Sequence, residues 1–204
     1  MFYETEKNNH GLSHNPFKSL IIPRPIGWIS SQDVNGNRNL APYSYFNALC
    51  DNPPMVMFST TNSRSEGVSK DTLHNVETQG EFVVSIATYD LREALNLTSA
   101  PLNSGDDEFA FAKLEALPST LVKPPRVSGS PIHLECVYHQ SIQLPTSSMG
   151  DTNRVVIGRV IGVHIDDSLI SSGKIDVMKM KPIARLGYME YAVIDNIFNM
   201  QRPM

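Results

Sequence analysis

The sequence predicts a mainly β chain with a few short helices, closed as an antiparallel barrel. Three observations carry this. Short β-rich runs, separated by turn residues, dominate from Arg24 to Ile194; only two or three helical patterns interrupt them; and no βαβα alternation of a doubly wound sheet is present. A chain of 204 residues, without an internal repeat or a dividing linker, is most simply one domain spanning 1–204. Residues 1–15 are polar and expected to be flexible or peripheral.

Residues 24–32 and 38–46 read as strands around Asp33-Val-Asn-Gly-Asn, because Asn-Gly tolerates the positive φ of a tight hairpin. Asp51-Asn-Pro-Pro breaks the chain before Met55–Thr60, a short apolar run suited to a buried strand. From Ser69 to Gln79 the pattern is helical: Ser69 or Asp71 can cap it, Leu73 and Val76 give an apolar face, and Gly80 stands at its end. Glu81–Ala87 is β-rich, and Asp90 opens a second short helix to Leu97. The proline-rich stretch Ser99–Arg126 is long for a structureless loop, so a short helix near Glu108–Lys113 and a ligand or subunit contact are expected.

Ile132–Leu144 alternates cleanly, with Ile132, Leu134, Cys136, Tyr138, Ile142 and Leu144 on one face and His133, Glu135, His139 and Gln143 on the other. Val155–Ile165 is apolar at nearly every position, as a strand covered on both sides would be, and Gly158 and Gly162 suit a bend or bulge. Tyr188–Ile194 supplies the last strand.

Apolar residues make up 41% and charged ones 19%, and a net charge of −4 gives no argument for nucleic acid or a membrane surface as partner. The N-terminus lacks the apolar core of a signal peptide, and no apolar run approaches the ~20 residues that span a bilayer, so the expectation is cytoplasmic. Cys50 and Cys136 form no Cys-x-x-Cys pair and read as reduced thiols, small core residues rather than a metal site. His133 and His139 on one extended strand are about 20 Å apart, too far to share an ion, so no metal is expected.

Ser69-Lys70-Asp71-Thr72 is the best phosphate candidate, since a helix start exposes unpaired N–H groups and Lys70 and Thr72 add a charge and a hydroxyl. A plain capping box with Lys70 in solvent is the alternative. Ser59-Thr60-Thr61 upstream can supply the other side of one pocket. In Asn39-Leu-Ala41-Pro42-Tyr43-Ser44, Pro42 interrupts the ladder, so freed backbone groups can bind a heterocycle's polar edge while Tyr43 or Tyr45 forms a flat wall. An edge strand guarded by a proline is the competing account. Arg24 can pair with a phosphate or cap the barrel with a surface ion pair, and Trp28 reads as core. His164, at a strand end before two aspartates, is a weak catalytic candidate that otherwise reads as structural. No Gly-x-Ser-x-Gly elbow, P-loop or Gly-x-Gly-x-x-Gly turn occurs.

Taken together, Arg24-Pro-Ile-Gly-Trp-Ile-Ser-Ser, Asn39-Leu-Ala-Pro-Tyr-Ser-Tyr-Phe-Asn and Ser69-Lys-Asp-Thr resemble the flavin reductase-like family, from near Asn15 to about Tyr191. The match is residue by residue at Arg24, Pro25, Trp28, Asn39, Ala41, Pro42, Ser44, Asn47, Ser59, Lys70, Asp71 and Thr72. The resemblance implies a Greek-key split β-barrel that binds FMN. It implies the ring along Asn39, Ala41, Pro42, Tyr43 and Ser44, and the phosphate at Ser59, Thr60, Lys70, Asp71 and Thr72. Arg185-Leu-Gly-Tyr188 is similar to a late motif of the family in which an Arg or Tyr approaches the flavin. The implied activity is transfer from NADH or NADPH through FMN to a flavin or other small acceptor, in a homodimer. A non-turnover electron carrier of the flavoredoxin type and a pyridoxine-phosphate oxidase-like enzyme are the alternatives.

Overall fold

The computed structural model describes residues 1–61, 71–146 and 152–203. A short helix α1 (Phe17–Leu20) precedes strands β1 (Arg24–Pro25), β2 (Gly27–Gln32), β3 (Arg38–Tyr43), β4 (Phe46–Asp51) and β5 (Pro54–Thr60). Helix α2 (Asp71–Gln79) leads to β6 (Glu81–Ile86), then α3 (Arg92–Leu97), α4 (Glu108–Phe111), β7 (Ala116–Leu117) and β8 (Arg126–Val127). The long hairpin β9 (Ile132–Leu144) and β10 (Asn153–Ile165) follows, then β11 (Ile170–Ser171), β12 (Lys174–Ile175), α5 (Val177–Met180), β13 (Ile183–Arg185) and β14 (Tyr191–Val193).

Seven strands form one antiparallel sheet in the order β3-β2-β6-β9-β10-β5-β4, and β1, β13 and β14 form a second sheet. The chain crosses from β3 to the far end of the large sheet and returns through β6 to pair with β2, which is a Greek-key path. The sheet curls until its two ends meet. Tyr43 of β3 stacks on Phe58 of β5 with ring centroids 5.0 Å apart, and the Ser59 N–H donates to the Tyr45 carbonyl at 2.8 Å. The barrel is thus closed by side chains where β3 and β4 do not pair, the Ser59–Tyr45 bond being a further rung of the β4–β5 ladder, and that split leaves backbone groups of β3 without a neighbouring strand.

The β2–β3 turn follows the sequence reading: Gly36 has φ +88°, and the Asp33 carboxylate accepts the N–H groups of Asn35 and Asn37 at 2.9 and 2.8 Å. One face of the sheet buries Ile29, Phe58, Phe82 and Val84 against Leu73 and Val76 of α2. The opposite face buries Trp28, Leu40, Phe109 and Val127 beneath α3, α4 and the loop beyond them. Each such side chain contributes about 1.5–3 kcal/mol of burial. Trp28 is core, as expected, and its indole N–H donates to Thr98 Oγ1 at 2.9 Å.

Several expectations are corrected. Phe46–Asp51 is an additional strand, on the sheet's other edge. Asp90 does not cap α3, because Leu91 occupies the cap position and makes no side-chain bond. On the polar face of β9 His133 and Glu135 are buried, while Ile142 and Leu144 of the apolar face are exposed, because loop 118–130 covers one half of β9 and the other half projects past the barrel. β10 is likewise covered on both sides only in part, with Val163 and Ile165 exposed. Its register shifts between Ile157 and Gly158 and between Val160 and Gly162, where the glycines suggested bulges. Cys50 is exposed on β4 rather than core, whereas Cys136 is buried; both are free. The final strand is confined to Tyr191–Val193.

Candidate functional site

The edge strand β3 organises two adjoining hollows. Asn39 is buried and its Nδ2 donates to Thr72 Oγ1 at 2.7 Å, while the Leu40 N–H donates to Glu108 Oε2 at 2.9 Å. A hollow of about 220 Å³ is bounded by Asn39, Ala41, Asp71, Thr72, Thr98 and Ser99. A cleft of about 380 Å³ is bounded by Arg24, Ser44, Tyr45, Ser59, Thr61, Arg185 and Tyr188, with Lys18 at its rim. Pro42 and Tyr43 line both. Pro42 lies on an edge strand, so its missing N–H costs no ladder bond, and the two readings of this proline describe one place.

The strand-end hydroxyls reach the same region. Ser59 Oγ donates to the Arg154 carbonyl at 3.2 Å. Thr60 is 2% exposed, and its Oγ1 has no partner among the described residues. Leaving a hydroxyl buried and unpaired costs about 1–3 kcal/mol. Across β3, Asp71 accepts from Ser104 Oγ at 3.0 Å, and Thr72 is 1% exposed. Lys70, together with Ser69, lies outside the described residues. Asn39, Ala41, Pro42, Tyr43, Ser44, Ser59, Asp71 and Thr72 are therefore gathered around the end of β3, with the Tyr43 ring turned into the core and Tyr45 left at the cleft, while Thr60 points with Val56 and Phe58 to the buried face of β5.

Arg24 is not a surface ion pair. It is buried, its Nη1 donates to the carbonyls of Lys18 and Ile21, and its Nη2 donates to that of Leu186 at 2.7 Å. It clasps the segment before β1 to the turn after β13, and its guanidinium lies 5.8 Å from the Tyr45 ring centroid. Arg185 donates to the Tyr191 hydroxyl at 2.5 Å and to the Tyr188 carbonyl, so the late motif meets the cleft. Lys18 and Asn15 also line it and were missed as site residues. Only the docking of α1 brings them there, and one lysine in a short polar segment carries no local signal.

His164 lies outside both hollows. Pro42, Trp28, Ser85, His133 and His164 form one cross-strand row, placing His164 four strands from Pro42, about 19 Å along the sheet. Its partner is Glu135 rather than the following aspartates: Nε2 meets Oε1 at 2.5 Å, and the buried carboxylate also accepts the N–H groups of Thr120 and Leu121 at 2.7 and 2.6 Å. Burial acts to raise the Glu135 carboxyl, but these three bonds together hold it below its ordinary value. His133 bonds Ser85 Oγ through Nδ1 at 3.0 Å. Burial, reinforced by the charges of Arg126 and His164, lowers it to about 4. The cluster pins loop 118–130 to the sheet.

Among the described residues no group of three or more His, Cys, Asp and Glu side chains could hold a metal ion. No helix among them is long and apolar enough to cross a membrane.

The family model described as flavin reductase like domain matches residues 19–179. An uncharacterized protein of Halalkalibacterium halodurans is 33% identical over 183 residues, covering 90% of this chain and 87% of its own. The crystal structure of nitrilotriacetate monooxygenase component B from Bacillus cereus is 34% identical, covers 98% of each chain and superposes with a TM-score of 0.87. A structure with a split barrel domain from Shewanella frigidimarina, 21% identical, covers 100% of both chains with a TM-score of 0.84 and bears on the fold alone. The barrel seen here is therefore a split barrel.

Proposed function

Because this chain belongs to the flavin reductase-like family, we propose that it is an FMN-binding oxidoreductase that takes reducing equivalents from NADH or NADPH and passes them to a flavin or other small acceptor. The observation that carries this reading is the pair of hollows that share Pro42 and Tyr43 along the unpaired edge of β3, with Ser59 and Thr61 lining one and Thr72 the other. Those residues fit a flavin mononucleotide. Ser59, Thr61 and Thr72 offer hydroxyls to a phosphate, with Lys70 adding a charge in the sequence. Ala41 to Ser44 offer backbone groups to the polar edge of a ring, and Tyr45 offers an apolar wall. Bound flavin supplies hydride and single-electron chemistry, so the chain itself needs only to bind, orient and shield.

The test is spectroscopic. Protein loaded with FMN is mixed anaerobically with NADH and with NADPH, and loss of the flavin absorption is followed. Bleaching by either donor supports the proposal; bleaching by dithionite alone makes the protein an electron carrier instead; no flavin uptake sinks the reading. A single terminal phosphate favours FMN over FAD. Lys70→Ala is expected to weaken FMN binding about tenfold or more and to leave riboflavin nearly unaltered.

We also propose a homodimer in which the second chain covers the flavin site. The stretch 99–126 exposes Phe111 (48%) and Leu121 (56%), apolar side chains that a neighbour would bury. Light scattering on FMN-loaded protein should give a mass near twice the chain's 22.7 kDa; a mass near 22.7 kDa rejects the dimer.

A further inference from the structure

Resting on the flavin reading above, we propose that the larger cleft contains a second anion subsite, built from Lys18, Arg24 and Arg185, which takes the phosphomonoester of the molecule that reacts with the bound flavin. The described lining of this cleft holds three basic side chains and no carboxylate, in a chain whose net charge is −4. The positive charge is therefore local, and apolar walls strengthen its field.

Arg24 is the anchor. It is 6% exposed, yet among the described residues every hydrogen-bond partner of its guanidinium is a neutral carbonyl, from Lys18, Ile21 and Leu186, and its Nε has none. Carbonyl oxygens satisfy donors but do not neutralise a charge, and a buried cation without a counter-charge is costly. An arriving anion supplies that counter-charge. Arg24 also holds the Lys18 carbonyl, so the lysine's backbone is fixed at the rim while its exposed amine makes no ion pair among the described residues. Arg185 uses two of its five donors, on the Tyr191 hydroxyl and the Tyr188 carbonyl, and is braced 4.6 Å from the Tyr191 ring centroid.

These three cations are additional to the hydroxyls and Lys70 proposed for FMN's own phosphate. Two reactants of the proposed function carry a phosphomonoester: NADPH, through its 2′-phosphate, and a second FMN arriving as acceptor. NADH and riboflavin lack that group, so each source has a matched control.

The experiment is calorimetric and independent of turnover. FMN-loaded protein, its loading verified by absorption, is titrated with NADP⁺ and NAD⁺, then with FMN and riboflavin as second flavins. The same titrations are made on Lys18→Gln and on Lys18→Arg. The phosphorylated member of one pair should bind about fivefold tighter to the wild type, Lys18→Gln should cut that ratio about threefold, and Lys18→Arg should restore it. Whichever pair responds identifies the source. Equal affinities within both pairs, or ratios that Lys18→Gln leaves unchanged, overturn the subsite while the flavin reading stands. Failure of the wild type to take up FMN overturns both.

Discussion

Asn39 Nδ2 donates to Thr72 Oγ1 at 2.7 Å, and both side chains are buried, so this bond ties edge strand β3 to the first turn of α2. The strand proposed to face the flavin ring and the helix proposed to face its phosphate are thereby held in one geometry. Asn39→Ala leaves the Thr72 hydroxyl without this donor in a dry site. It should cost about 1–3 kcal/mol in urea unfolding and weaken FMN binding as well. Unchanged stability with unchanged FMN affinity would show that the bond positions nothing.

Stability should rise with pH between about 4 and 6.5. His133 is lowered from its ordinary 6.5 to about 4, chiefly by burial, so across this window the unfolded chain binds the proton that the folded chain refuses. The contribution is complete above the unfolded value and is lost as pH falls toward about 4, amounting to about 3 kcal/mol at ~1.4 kcal/mol per unit. Glu135, also lowered, adds a loss of the same sign at still lower pH. Unfolding midpoints from pH 4 to 7 should climb in the wild type and flatten in His133→Asn. Parallel curves for the two proteins would reject the assignment.

Gly158→Ala should destabilise the barrel. A Cβ there would stand 2.5 Å from Phe82 Cε1 and closer still to Cζ, against a ring that is wholly buried. Since Phe82 also packs on Phe58 at 5.5 Å, the ring has little room to retreat. A loss of about 1–3 kcal/mol is expected from overpacking. A thermal midpoint equal to the wild type would mean that the core yields freely here.

His164→Ala should leave the rate of flavin reduction by nicotinamide unchanged, because the residue lies nine residues along β10 from Val155, the partner of the cleft's Ser59, roughly 30 Å of strand. Its loss should instead loosen loop 118–130, since the Glu135 carboxylate gives up one of its three partners. Faster amide exchange at Thr120 and Leu121, with stopped-flow traces that superpose on the wild type, is the expected pair of results. A slowed reduction would return His164 to the reaction.

Local chemistry was enough for much of the fold and for part of the candidate site. The Asp33–Asn37 turn, the α2 helix with its apolar Leu73 and Val76, the strand periods and the bulge-prone glycines of β10 depend on φ preferences and side-chain spacing within a few residues. The run from Asn39 to Ser44 and the hydroxyls from Ser59 to Thr61 were legible for the same reason: a proline on a strand and consecutive hydroxyls at a strand end are local anomalies.

Tertiary structure alone decided which of two chemically similar positions faces what. Alternation puts His133 and Glu135 on the face opposite the apolar run without saying what covers it; a loop contributed by residues 118–130 does, and His164 turns to Glu135 rather than to its sequence neighbours. Arg24 became a buried clasp because Lys18, Ile21 and the distant Leu186 present carbonyls to it. The meeting of Tyr43 with Phe58, which opens the cleft beside the split, follows from the curl of the whole sheet. Periodicity within a segment reports which residues share a face. What covers that face is set by contacts between segments far apart in the chain, and the order of residues within a segment does not encode them.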